Sequence, residues 1–318
     1  MSQLNLLTDM KFNTAIFSMI ILEDNRIALC SEKGEVYILN KRNLNVDIKI
    51  IDNNMQSATS IIQTRNGNII IGISKDIKIY SISKNTYNLI QTLNEHEQEI
   101  NHLRELALGE LVSSSHYGEL NFYCFKNDKY EHDFLYKMIN DDWIYNFIEV
   151  KLNQLVICSI GGDDDSSSNI SFINIFDINN RKLNKIGKFI EDGSEFETFS
   201  LISEDILAFC HIRNIIFFDI NKSYKVVEDI PVYMEDDELD IILCILKYDK
   251  NHFITCLSTY EYILWEFNYN DNKMKVNQIA RISKQIDNKN FIRCITKDKD
   301  GNIISGDNNG IKIWKIRF

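Results

Sequence analysis

The sequence predicts an all-β protein, a seven-bladed β-propeller of four-stranded antiparallel blades, built as a single domain over residues 1–318. Three observations predict it. A short β-rich run recurs seven times at nearly even spacing. Each copy sits among three further strand-like runs. The two ends of the chain supply complementary parts of one copy.

The recurring runs are residues 36–39 (VYIL), 77–80 (IKIY), 120–123 (LNFY), 173–176 (INIF), 215–218 (IIFF), 262–265 (YILW) and 311–314 (IKIW). Their last residues are spaced by 41, 43, 53, 42, 47 and 49 positions. Before each anchor come two runs joined by a short turn, such as 58–62 and 68–73 around Arg65, Asn66 and Gly67. In the last copy the turn at 299–301 and the turn at 306–310 are rich in Gly, Asp and Asn, residues that tolerate positive φ. After each anchor comes a polar turn and a more polar fourth run, such as 87–93 or 274–282. The first runs read as almost wholly apolar, which places them near the centre of a propeller. No sustained 3.6-residue periodicity is present, so little helix is expected.

The ends explain each other. The seventh copy stops after its third strand, and the chain opens with a strand-like segment, 3–8, that has no blade of its own. Placing 3–8 as the fourth strand of the last blade closes the pattern and leaves no open sheet edge at either terminus. The one proline, Pro231, falls at an outer edge where a missing N–H is tolerated. The Gly/Asp/Ser stretch at 161–169 accounts for the 53-residue spacing as a longer loop in blade four.

Composition narrows the function classes. No run of about 18 apolar residues exists, so no membrane span is expected, and the opening residues are too short and polar for a secretory signal. The seven cysteines lie singly inside apolar runs with no CxxC spacing, which reads as buried thiols in a reducing compartment: the cytoplasm, or alternatively the nucleus.

Over its whole length the sequence resembles the WD40-repeat β-propellers, strongly in periodicity and weakly in signature dipeptides. The family's Trp-Asp ending stands here as Trp314-Lys315, Trp265-Glu266, Phe176-Asp177 and Phe218-Asp219. Its Gly-His is matched by Glu95-His96 with the glycine lost, and its turn aspartate by Asp307 or Asn308. No blade keeps the full His–Ser/Thr–Asp–Trp set, so blade packing is expected to rest mostly on apolar burial. The resemblance implies a non-catalytic protein-interaction scaffold. The Phe-Arg-Arg-Gly motif of the phosphoinositide-binding branch is absent.

Little in the sequence points to chemistry. The six histidines, including His96, pair with no Cys or Asp at metal-ligand spacing, so no metal and no cofactor is expected. His96 reads as structural. No GxSxG, P-loop or GxGxxG occurs. A net charge of −11 disfavours nucleic acid, whose phosphates require a basic face.

Charge placement is more informative. The segments linking one blade to the next fall near 9–14, 51–57, 94–99, 139–143, 191–197, 234–240 and 284–290, and carry seventeen acids against three lysines. That net −14 leaves +3 for everything else, and the third-to-fourth-strand turns on the opposite face carry Lys41, Arg42, Lys84, Lys129, Arg181, Lys182, Lys222 and Lys273. Such clustering reads either as loops charged for solubility or as an expected docking face for a basic, Lys/Arg-bearing protein segment. The candidate docking residues are Asp141, Asp142, Glu195, Glu235, Asp236, Asp237 and Glu238, with Trp143, Phe196, Tyr233 and Met234 as anchors. Trp143 also reads simply as the start of a strand. Two alternatives stand: a structural subunit of a larger complex, marked by apolar patches, and a propeller-type hydrolase or lyase using carboxylates at the ring mouth.

Overall fold

The computed structural model describes residues 3–51, 56–138, 143–161, 170–179, 182–192, 196–211, 214–232, 241–258, 261–270, 273–283 and 291–317. The fold is a seven-bladed β-propeller of four-stranded antiparallel blades, with one short 3-10 turn, His116–Gly118, among the described residues.

The chain opens with β1 (Gln3–Lys11). Blade one is β2 (Ile16–Ile21), β3 (Ile27–Ser31), β4 (Glu35–Leu39) and β5 (Val46–Ile51). Blade two is β6 (Ala58–Gln63), β7 (Ile69–Ile73), β8 (Asp76–Ile82) and β9 (Tyr87–Leu93). Blade three is β10 (Ile100–Glu105), β11 (Leu111–Ser115), β12 (Glu119–Lys126) and β13 (Lys129–Lys137). Blade four is β14 (Trp143–Lys151), β15 (Gln154–Gly161), β16 (Ile170–Asn179) and β17 (Lys182–Asp192). Blade five is β18 (Phe196–Leu201), β19 (Ile206–His211), β20 (Asn214–Asp219) and β21 (Lys225–Pro231). Blade six is β22 (Ile242–Lys247), β23 (His252–Leu257), β24 (Glu261–Asn270) and β25 (Lys273–Ser283). Blade seven is β26 (Cys294–Lys297), β27 (Ile303–Gly306) and β28 (Gly310–Arg317), completed by β1.

All seven anchor runs lie in third strands. In every blade the pairing of third and fourth strands slips by one residue at the same place, before the last anchor residue. The slips fall at Leu39, Tyr80, Tyr123, Phe176, Phe218, Trp265 and Trp314. A bulge of this kind adds local twist. β1 pairs with β28 from Gln3↔Arg317 to Lys11↔Gly310 and carries the same slip, between Leu6 and Thr8. It is a fourth strand in every respect, as the sequence predicts, and longer than the expected 3–8. Pro231 closes β21, an outer strand.

Two compact units divide the chain: Met1–Ile16 with Glu195–Phe318, holding blades five to seven, and Phe17–Ser194, holding blades one to four. In each, apolar layers form between adjacent blades. Ile38, Ile50, Ile61 and Ile71 join blades one and two; Val112, Phe122, Phe147 and Phe176 join three and four. Phe217, Phe253 and Trp265 join blades five and six.

The most buried strand is the second, and this corrects the expectation of wholly apolar first strands. Every residue of β3, β7 and β11 is buried, whereas in β2 and β10 only the first and fourth positions are. A second strand has a neighbour on both flanks and a first strand only one; β10 thus keeps Asn101, His102 and Arg104 partly exposed as residues, although the His102 Nε2 and Arg104 Nε atoms are themselves buried. Where β10 crosses β7 the backbone must come close: a Cβ on Gly72 would meet Ile100 Cγ2 at 2.8 Å.

Adjacent blades in the second unit are also tied at the turns between first and second strands, at the repeat spacing. Gln63 Oε1 accepts the Glu23 N–H at 2.8 Å, Glu105 Oε2 accepts the Arg65 N–H at 2.9 Å, and Glu149 Oε2 accepts the Ala107 N–H at 2.5 Å. Each residue near the end of a first strand thus satisfies a turn donor of the blade before it.

Candidate functional site

The inter-blade segment 94–99 and the turn His116–Gly118 lie at one end of blade three, and the first residue of β14, Trp143, packs beside that turn. Glu95, Glu97 and Glu99 are all exposed. Trp143 is 47% and Tyr117 48% exposed, and their rings meet edge to face with centroids 6.1 Å apart. Tyr117 sits at φ 66°, a left-handed conformation that disfavours a bulky residue. Two exposed aromatic side chains at the end of blade three that carries three exposed carboxylates, of which Glu97 lies 3.7 Å from Lys137 Nζ, suit a cationic ligand, since ring faces and carboxylates both attract positive charge.

Of the sequence-predicted docking residues, Trp143 is brought into this arrangement. Phe196 is placed by its backbone alone, opposite His211 at the start of β18. Asp141, Asp142, Glu195, Tyr233, Met234, Glu235, Asp236, Asp237 and Glu238 lie outside the described residues. Asp9, expected in a linking segment, is exposed within β1 and opposite Lys312. Tyr117 was not anticipated; the only sign of it in the sequence is an aromatic before Gly118 in the turn that leads into β12.

Polar contacts hold the blades more than the degenerate signature suggests. His96 Nε2 lies 2.5 Å from Ser113 Oγ on β11, and its Nδ1 lies 3.4 Å from Glu119 Oε2 and 3.2 Å from Asn121 Nδ2. Ser115 Oγ donates to Glu119 at 3.2 Å, and Lys137 pairs with it at 3.1 Å. Glu119 thus takes the part of the turn aspartate, and the buried Tyr123 stands where blades six and seven have Trp. In blade six Trp265 Nε1 donates to Thr255 Oγ1 at 2.9 Å; in blade seven Trp314 Nε1 donates to Ser305 Oγ at 3.1 Å. Asp307, not Asn308, is the turn acid of blade seven: it is 2% exposed, accepts the N–H groups of Asn309 and Gly310, and pairs with the buried Lys312.

These histidines set an acid limit on stability. Burial holds His96 below its ordinary 6.5 against the opposing pull of Glu119, and burial with Arg104 nearby holds His102 down to about 3. Burial alone would raise Glu119, but Lys137, His96 and Ser115 hold it below 4.5. All three bind protons more weakly folded than unfolded. Stability therefore falls as pH drops below about 6.5, from the histidines first and from Glu119 below about 4.5. Urea midpoints at pH 7.5, 6 and 5 are expected to decline, by at most about 1.4 kcal/mol per pH unit per group. His96→Gln and His102→Gln should each flatten the slope between pH 5 and 6.5; an unchanged slope in both variants refutes the assignment.

A cavity of about 920 Å³ opens in the first unit between turns of blades five and six, with Asp205, Lys247, Tyr248, Lys250 and Tyr269 on its walls. Much of its polar lining is already committed. Tyr269 donates to Asp219, Tyr248 donates to the Gly301 carbonyl at 3.1 Å, and Asp249 accepts from His252 at 2.8 Å. Among the described residues no three His, Cys, Asp or Glu side chains are grouped to hold a metal.

The WD40 β-propeller domain of Doa1 superposes with a TM-score of 0.70 over 98% of this chain and 97% of that one, at 15% sequence identity. The chain has the WD40 β-propeller fold. No family model matches the sequence, and no curated protein matches it. The WD40 fold is thus carried here by strand pattern and apolar layers, with the signature dipeptides largely replaced.

Proposed function

We propose that this WD40-fold protein is a non-catalytic interaction module that docks a lysine- or arginine-bearing protein segment on the end carrying Glu95, Glu97, Glu99, Tyr117 and Trp143. The observation that carries the proposal is the exposed Tyr117–Trp143 pair beside those acids. Rigid aromatics anchor interfaces because they bury much area with little loss of freedom, and surrounding carboxylates steer a basic partner and exclude an acidic one. Asp141 and Asp142 precede Trp143 in sequence and add to the same charge. The acids at 235–238 belong to the other compact unit and form no part of this docking end. Seven free thiols, five of them buried, suit a reducing compartment, the cytoplasm first and the nucleus second.

The three tryptophans make a direct test. Trp265 and Trp314 are buried at 5% and 1% exposure, so solvent-accessible indole emission reports Trp143. Titration with Lys/Arg-bearing peptides should change that emission, more weakly at high salt, while Asp/Glu-bearing peptides of equal length should not. By peptide-side anisotropy, Trp143→Ala is expected to weaken binding about tenfold or more. Lysine at Glu95 and Glu99, both exposed, should weaken it further. Equal response to basic and acidic peptides, or indifference to Trp143→Ala, sinks the docking face.

A further inference from the structure

We propose that β9 is a self-association edge, through which two copies of this chain pair antiparallel, β9 to β9, about a two-fold axis at its middle. Each fourth strand leaves one row of backbone N–H and C=O groups without a strand partner, an invitation to pairing that proteins usually blunt with charge, above all lysine. Six of the seven fourth strands obey this rule. Each carries at least one lysine: Lys11, Lys49, Lys129, Lys182, Lys225 and Lys273 are examples. Strand β9, YNLIQTL, has no charged residue and no proline.

Its side chains are also the wrong kind for a solvent edge. Tyr87 is 41%, Leu89 53% and Ile90 40% exposed. The strand is nevertheless fixed in place. Gln91 accepts the Tyr130 N–H at 2.9 Å and donates to the Tyr130 carbonyl at 2.6 Å, tying β9 to blade three. A held, uncharged, apolar edge is ready to pair without further ordering.

Charge at its two ends selects the occupant. Lys84 lies in the turn before β9, at one end of the blade; Glu97 and Glu99 follow it at the other, where Glu97 is 77% exposed and only loosely held, 3.7 Å from the half-exposed Lys137. Antiparallel self-pairing with the axis at Ile90, or between Ile90 and Gln91, sets Lys84 of each copy within one residue of Glu97 of the other. The pairing is isologous, so each favourable contact occurs twice. Parallel pairing would instead set like charges together at both ends.

The test is sedimentation velocity of the full chain from about 1 to about 100 µM. A concentration-dependent dimer is expected. Leu89→Lys should raise its dissociation constant about tenfold or more, because it buries like charges across the two-fold axis. Lys84→Glu should weaken the dimer at low salt, and adding Glu97→Lys should restore it; Leu89 and Lys84 are exposed, and far-UV circular dichroism checks that the variants stay folded. Trp143→Ala should leave the equilibrium unchanged, which separates this edge from the docking face. A monomer at every concentration overturns the proposal, including one that binds a foreign extended peptide. So does a dimer indifferent to Leu89→Lys, or a double charge reversal that fails to restore pairing.

Discussion

Replacing Asp307 by alanine is expected to destabilise the protein by about 3–5 kcal/mol, measured as a lower urea midpoint. Three losses combine. Lys312, 5% exposed, loses its ion pair with the Asp307 carboxylate. The N–H of Asn309, bonded to Asp307 Oδ1 at 2.7 Å, and that of Gly310, at 2.9 Å, are left without acceptors in the tight turn between β27 and β28. The turn also seats neighbouring chain, since the Asp307 carbonyl accepts the Ile16 N–H at 2.9 Å. Loosening the turn therefore disturbs the segment that follows β1 as well.

Much of the cost is that of breaking a buried ion pair, so it should shrink when both partners are replaced. Lys312→Met in the Asp307→Ala background is expected to recover a large part of the loss, a coupling of about 1–3 kcal/mol in a double-mutant cycle. Asp307→Asn should fall between, since the amide oxygen can still accept the turn N–H groups while the ion pair is lost. If Asp307→Ala costs under about 1 kcal/mol, or Lys312→Met brings no recovery, the pair is not a buried couple.

Why so much of the fold could be read from the chain, and so little of its polar wiring, follows from the physics of each signal. The anchors are legible because a third strand has neighbours on both sides and buries one run of β-branched and aromatic residues per blade, which recurs in sequence. The role of 3–8 was legible because one copy lacked a fourth strand. Glu119 was not: it does an aspartate's work from the first position of β12, and nothing in its spacing distinguishes it from a solvent-facing glutamate. Lys312 alternates with Ile311 and Ile313 as an outward residue would, yet its ammonium folds onto Asp307. Asp307 and Asn308 are adjacent, and only the direction of the turn separates them. Tyr117 becomes visible as a partner of Trp143 once the turn before β12 is seen beside the start of β14.

Trp314→Ala is expected to cost about 3–5 kcal/mol, whereas Trp143→Ala should stay within about 0.5 kcal/mol. Trp314 is 1% exposed, packs its ring 5.0 Å from that of Tyr262, and shares Ser305 Oγ with the Tyr262 hydroxyl. Around it lie Ile254, Leu264 and Ile303, with Leu6 of β1 packed against the same cluster. Removing the indole opens a cavity where blades six and seven meet, and the well-packed strands on both sides cannot collapse into it. Trp314→Phe should recover most of the apolar term and leave the Ser305 contact unmade, for a residual of about 1–2 kcal/mol. Trp143 has no such layer, being 47% exposed at a strand end. Large stability loss at Trp314 with little at Trp143, and binding loss at Trp143, would separate an indole kept for packing from one kept for a partner. A Trp143→Ala variant as unstable as Trp314→Ala would instead make that ring part of the blade, and would leave the acids without their aromatic anchor.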